Sequence, residues 1–202
     1  MIDILLVGAG GHARACIDVI EREGKYSIAG LVEKESPNEM DCLGYQIIGV
    51  DTELKILRSK YRNALITVGQ IKNPEIREKI YRKLSALDFH LPRIVSPSSY
   101  VSNHAQIGMG TIIMHGAIIN SNASVGVNCI VNNTALIEHD SIIGDHCHIA
   151  TGAIINGNVT VRSNTFIGSG AIINQGVVIG SNCIVGAGVV LKHDIPSGEM
   201  IQ

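Results

Sequence analysis

The sequence predicts an α/β unit of the strand, turn, helix, strand kind over residues 1–95, followed by an all-β coil of stacked parallel strands over residues 96–202. Three observations carry that expectation. An aliphatic residue recurs every six positions from Val101 to Leu191, sixteen times without a slip. A glycine-rich turn separates an apolar strand from a helical pattern near the start of the chain. Of the 16 Lys and Arg residues, 14 lie before Ser96 and only Arg162 and Lys192 after it, so the composition changes abruptly near "PRIVSPSSY", residues 92–100.

The first element is read from "IDILLVGAGGHARACIDVIEREG". A continuous apolar strand turns through glycines and gives way to Ala15, Val19 and Ile20 on a helical spacing. Gly8, Gly10 and Ala13 fit the pattern G-x-G-x-x-G/A, whose glycines let a phosphate approach backbone N–H groups at a helix start, so the unit is Rossmann-like. "YSIAGLVE" is a second strand, and Glu33 at its end stands where a carboxylate can take a ribose hydroxyl or a base edge. A third strand is expected at "ALITVG", residues 64–69, and a helix at "NPEIREKIYRKLSAL", residues 73–87. One short unit of this kind, without a hydride-transfer pocket beside it, suits a nucleotide carrying a sugar better than a redox dinucleotide.

In the second half each hexad reads as a short strand and a corner. Four places after the aliphatic residue comes a small or β-branched one, Ala105, Thr111, Ala117 and so on to Ile195, and alternation along a strand points both into a narrow core. Three places after the aliphatic residue stands Gly, Asn, Asp or His, the types that tolerate a positive φ, with Thr134 the exception. Three hexads close a triangular turn of eighteen residues, and stacked turns pair as parallel strands roughly 4.8 Å apart. The chain therefore holds about five coils.

Stacking gives the chemical residues their places. Glu138, Asp140 and Asp145 are three of only five acidic residues after Ser96, and they cluster within one coil with His139, His146 and His148. His139 falls at a corner with Gly157 above and Ser121 below, and His148 points outward from a strand. A histidine beside a carboxylate is equipped as a general base, because the carboxylate fixes its tautomer and steadies the imidazolium. Asp140 is equally explained as a corner residue, whereas His146 and Asp145 read as structural and solvated corners. Three nearby histidines raise the question of zinc, but two corners and a strand of one chain do not aim at one point, so no metal is expected.

Composition excludes other classes. A formal charge of -2 leaves no basic field for nucleic acid or an anionic membrane, and no apolar run approaches the roughly 20 residues of a membrane span. Neither a signal peptide nor a paired-cysteine framework is visible among five cysteines, so a cytoplasmic protein with reduced thiols is expected.

The hexad pattern resembles the left-handed β-helix of the hexapeptide-repeat acyltransferases. With "GAGGHA" (8–13), "TVGQIKNPEIREKIYRKL" (67–84), "IEHDSIIGDHCHIATGA" (137–153) and "NGNV" (156–159), the chain is similar to the sialic-acid O-acetyltransferases and the bacillosamine-type UDP-4-amino-sugar N-acetyltransferases. The resemblance implies acetyl-CoA as donor, a nucleotide-sugar acceptor and a homotrimer with sites between subunits. It implies His139 as general base, Asp140 as its partner, Gly157 N–H as the oxyanion donor near the coenzyme, and His148 at the thioester. It places the acceptor's nucleotide on Gly8, Gly10, Gly11 and His12, with Glu33 and Gly69. O-acetylation of a sialic-acid-like sugar and a non-catalytic nucleotide-sugar-binding role remain open as alternatives. Two segments depart from the family: "VEKE" at 32–35 replaces an aspartate pair, and "SGEMIQ" replaces a G-x-P-A-K-type ending, so the final coil is expected to be cut short.

Overall fold

The computed structural model describes residues 1–34, 41–71 and 73–202; Glu35 and Lys72 of the motifs above lie outside them. The chain begins with β1 (Ile2–Val7), α1 (Gly11–Glu23) and β2 (Tyr26–Glu33), as its apolar strand and glycine turn predict. A two-strand hairpin follows, β3 (Asp41–Cys42) and β4 (Tyr45–Val50), then a short α2 (Leu54–Arg58), β5 (Asn63–Ile66) and α3 (Glu75–Ala86). The sheet order is β3-β4-β2-β1-β5, parallel except for the hairpin. The hairpin was not expected from the sequence, and the third strand stops at Ile66 rather than running to residue 69.

α1 ends by a helix stop built on Gly24, whose φ of 67° lets its N–H reach Ile20 O. At the other end Gly10 supplies no side-chain cap, and of the first-turn N–H groups only that of Ala13 is bonded among the described residues, to Gly10 O at 3.0 Å. Ala13, Cys16, Ile17 and Ile20 bury the inner face of the helix.

The second half is a parallel β-helix. Two-residue strands repeat every six residues and pair eighteen residues apart, as in Leu136 with Ile154 and Ile142 with Thr160, giving three flat faces. One face starts at β6 (Ile94–Val95), which pairs with Ile112–Ile113, so the coil begins one hexad before Val101. The interior is a column of aliphatic and small residues, Ile137, Cys147, Ile149, Ala153 and Ile155 among them, all fully buried. The corners from Gly110 to Gly188 carry a positive φ, and Thr134 at 56° adopts it as the asparagines do; His104 and Asp194, in the same slot at the two ends of the coil, do not. The sixteen-hexad register holds to Leu191. Ile195, expected in the small inward slot, instead pairs with Ile179, and Met200 pairs with Ile184; the last coil is thus two residues shorter than the others.

The two halves share a core. Ile94, Ile112, Met114 and Ile130, on the outer side of one β-helix face, pack in one cluster with Ala13, Cys16, Ile17 and Ile20 of α1. Beside this contact His115 Nε2 donates to Asp18 Oδ2 at 2.6 Å while its Nδ1 accepts from Ser96 Oγ at 2.6 Å, bracing α1 against the first coil. An adjacent face is not covered in this way: Tyr100, Ile118 and Val190 are exposed, and Leu136, Ile154 and Ile172 between them are half-buried.

Candidate active site

His139 occupies the corner after Ile137. Its Nδ1 lies 2.7 Å from Asp140 Oδ2; a carboxylate only accepts, so Nδ1–H donates and the Nε2 lone pair faces outward. Asp140 Oδ1 accepts from Asn122 Nδ2, one coil below, at 2.7 Å. These two bonds, the Asn122 bond first, hold the Asp140 carboxyl below the usual carboxylate range. The bond to Asp140 raises the His139 imidazole above its ordinary value. Glu138 turns to Asn120 Nδ2 at 2.8 Å, adding negative charge without touching the ring.

Gly157 covers the ring. A Cβ there would stand 2.7 Å from His139 Cε1 and 2.8 Å from Nε2, so only glycine lets the imidazole lie in this place. The Gly157 N–H makes no hydrogen bond among the described residues, while Asn158 N, the next donor, binds His139 O at 2.9 Å. An unprotonated Nε2 and an unoccupied N–H at adjacent levels of one corner can remove a proton from a nucleophile and stabilise an oxyanion.

His148 points outward, as its place in the hexad requires, but it is buried beneath the first half of the chain. Its Nδ1–H donates to Gln70 O at 2.5 Å, its Nε2 accepts from Asn132 Nδ2 at 3.2 Å, and its ring meets the edge of Phe166 at 5.2 Å. What lies over this outward side chain is the segment after β5 rather than open solvent. Burial pushes the His148 imidazole down to about 4. His12 is likewise pushed to about 3, by burial first and then by the Arg77 and His148 charges. His146 bonds Asn128 at 2.9 Å and stands edge-on to Tyr81, the structural role read from its corner slot.

The glycine turn opens at the carboxyl ends of β1, β2 and β5, where the strand order reverses and ligands bind in folds of this type. A cleft of about 310 Å³ is lined there by Gly8, Val32, Glu33, Lys34, Asp51 and Val68, with Ile76, Lys79 and Ile80 of α3. Gly8 is required by close packing: with φ at 111°, a Cβ would meet Val68 Cγ2 at 2.6 Å. Gly10 and Gly11 face open space, and Gly69 lies against the His12 side chain. Glu33 Oε1 accepts from Ala9 N at 2.6 Å, tying the end of β2 to the turn. Asp51, Ile76, Lys79 and Ile80 were missed from the sequence; helical periodicity predicted α3 but not which side meets the cleft.

Within one chain these groups are not brought together. His139 stands at the corner opposite the face that carries His148 and the first half, with the width of the prism between them. Among the described residues no three His, Cys, Asp or Glu side chains converge to hold a metal ion, and no helix is long and apolar enough to cross a membrane.

Residues 3–84 match the PglD N-terminal domain, and residues 158–193 match the bacterial transferase hexapeptide of six repeats. Among solved structures, PerB from Caulobacter crescentus in complex with CoA and GDP-perosamine is 30% identical, with a TM-score of 0.90 over 98% of this chain and 92% of that one. The chain belongs to the hexapeptide-repeat nucleotide-amino-sugar N-acetyltransferases. The acetyltransferase domain of PglB from Neisseria gonorrhoeae, in complex with acetyl coenzyme A, is also 30% identical, with a TM-score of 0.89 over 98% of this chain and 94% of that one. WeeI from Acinetobacter baumannii shares the fold at 22% identity and a TM-score of 0.87, over 99% of this chain and 96% of that one. No curated protein matches the chain in sequence. This membership makes the chain an acyltransferase, and the corner at His139 is where its chemistry is sought.

Proposed function

We propose that the chain transfers the acetyl group of acetyl-CoA to the amino group of a nucleotide-linked sugar. The observation that carries the reading is the His139 ring, fixed on Asp140 by Nδ1 and lying under Gly157. The neutral sugar amine attacks the thioester carbonyl carbon, and Nε2 of His139 takes its proton. Gly157 N–H bonds the oxygen as it becomes negative; collapse of the tetrahedral species breaks the C–S bond, and His139 returns the proton to the leaving thiolate. Residues 1–95 hold the acceptor's nucleotide in the cleft at Gly8, with the phosphates at Gly10, Gly11 and His12 and the mouth bounded by Gly69. Glu33 serves the ribose through its second oxygen. His148 serves the thioester end of the coenzyme, and residues 96–202 carry out the transfer. Two structures of the perosamine enzyme with a single histidine changed, to Asn in one and to Ala in the other, support a histidine at the centre of the chemistry.

The separation of His139 from the cleft supports a site shared between subunits, as does the exposed stripe of Tyr100, Ile118 and Val190 on an uncovered face. Three chains would place the corner of one against the first half of the next. Five buried thiols without a disulfide suit the reducing cytoplasm, where acetyl-CoA is made.

Thiol release from acetyl-CoA with GDP- and UDP-linked amino sugars and with free sialic acid tests the reaction. Release with a nucleotide amino sugar, reduced at least roughly 10²-fold by His139→Ala, is expected. Release with sialic acid alone would transfer the assignment to O-acetylation, and no binding of acetyl-CoA would leave a non-catalytic protein. Mixing His139→Ala with Gly10→Trp, which blocks the turn in open space, tests the shared site: random assembly restores about a quarter of the sites if two subunits form each one. No recovery would place the whole site within one chain.

A further inference from the structure

We propose that Arg77 is a positioning residue that holds His148 in place across the seam between the α/β unit and the β-helix. Arg77 is 1% exposed on α3. Its Nη1 donates to Ile66 O at 3.0 Å and Val68 O at 2.5 Å, gripping the segment that leaves β5. Its Nη2 donates to Asn128 Oδ1 at 2.8 Å and Asn128 O at 3.3 Å, gripping a corner of the β-helix. Two residues beyond Val68, Gln70 carries the grip onward: its carbonyl takes His148 Nδ1–H, and its Nε2 donates to His146 O at 2.9 Å. One guanidinium therefore sets the spacing between the carbonyl of Gln70 and the strand that carries His148.

The charge balance argues that this is more than packing. Among the described residues no carboxylate pairs with Arg77; its positive charge is met by carbonyl and amide oxygens alone. A buried cation held in this way is costly, and an apolar side chain of similar volume would fill the space more cheaply. A planar fork with donors on two sides is what four separated acceptors require, and lysine does not provide it. The groups facing His148 are Gln70 O, the Asn132 amide, the Phe166 ring, the Arg77 charge and the His12 imidazole, with no carboxylate among them. Arg77 thus orients the imidazole through Gln70, and its charge adds to the burial that keeps the ring neutral.

The inference rests on the proposed reading only where His148 is placed at the thioester, and the test separates the two. The full-length protein, wild type and with Arg77→Lys or Arg77→Met, is titrated by NMR at the His148 ring and assayed with varied acetyl-CoA. Arg77→Lys is expected to disturb the Nδ1–H signal bound to Gln70 and raise KM for acetyl-CoA about tenfold, with kcat changed less than threefold. Arg77→Met is expected in addition to raise the His148 titration midpoint, because the Arg77 charge adds to the burial that lowers it. Folded variants whose His148 signal, midpoint and KM all stay within twofold of wild type would overturn the proposal. A moved His148 signal with unchanged kinetics would uphold Arg77 as its support and remove His148 from the thioester. Should both variants fail to fold, Asn128→Gly removes one acceptor and suits the φ of 53° at that corner; it is expected to move the His148 signal in the same direction by a smaller amount, and no movement would overturn the proposal.

Discussion

His139 and His148 stand nine residues apart in one coil, and the two regions around them drive the same side chain in opposite directions. At the exposed corner carboxylates set the behaviour of His139: Asp140, which takes its Nδ1–H, and then the Glu138 charge raise its affinity for a proton. In the seam, burial dominates; His148 has a carbonyl and an amide for partners and a guanidinium nearby, and it is held neutral. The contrast follows from one alternation along the chain. The corner at His139 looks into solvent, whereas the outward strand position of His148 looks into what packs on that face. One histidine is equipped to gain a proton during turnover, and the other to hold a fixed donor and acceptor.

The largest expected consequence lies in the seam. A histidine whose native pKa is lowered makes the unfolded state the better proton binder as the pH falls. For His148 stability is therefore complete above the unfolded value of 6.5 and is lost progressively down to about 4. His12 adds a loss of the same sign that continues to about 3. The loss from His148 alone reaches roughly 3 kcal/mol at the acid end. Urea midpoints measured from pH 7 to pH 4 should fall steeply, and His148→Gln should flatten the curve, while His139→Gln, which removes a raised pKa and so a small slope of opposite sign, should leave it as steep or steeper. Equal slopes for the two variants would show that the seam does not distinguish the histidines.

At the corner the sharpest probe is Gly157→Ala. The added methyl must displace the imidazole, since it would lie 2.7 Å from Cε1, and the exposed ring can swing into solvent without disturbing the coil. Turnover should fall by about 10²-fold, the order of a lost general base, with the thermal midpoint almost unchanged. Normal turnover would mean that the ring works from another position.

The hexad period explains how much of this was readable beforehand. Because each position fixes a direction, the place of His139 under Gly157, the outward aim of His148 and the positive-φ corner at Asp140 follow from counting. What packs on a face does not follow. The burial of His148 depends on Gln70, 78 residues away in the chain, and Arg77 meets Asn128 across 51 residues. In "NPEIREKIYRKL" Arg77 reads as one more solvated helical charge, with no local pattern to mark it as buried. The β3-β4 hairpin escaped notice because its turn uses Leu43 at a φ of 54° beside Gly44, a conformation aliphatic residues rarely adopt. The last coil departs from the count because two residues are missing from its repeat, and period alone does not show which strand absorbs a gap.

Asp140→Asn gives the smallest effect and the finest separation of chemistry from corner geometry. Asn tolerates the φ of 61° at this position as well as Asp does, and asparagine fills the same slot at 122, 128 and 158, so the backbone bears little cost. Only the charge and one acceptor are lost. The base must be neutral to act, so activity fails as the pH falls through the raised pKa of His139. Without the carboxylate that pKa returns towards its ordinary value, and the acid limb of kcat/KM should move to lower pH. The plateau above it should drop about tenfold, because the single amide oxygen left must serve both Asn122 and His139 and no longer fixes Nδ1 as the protonated nitrogen. These two changes oppose each other below the wild-type limb, so the profiles of the two proteins should approach one another at acid pH and diverge at neutral pH. A corner role alone would leave both the limb and the plateau where they were.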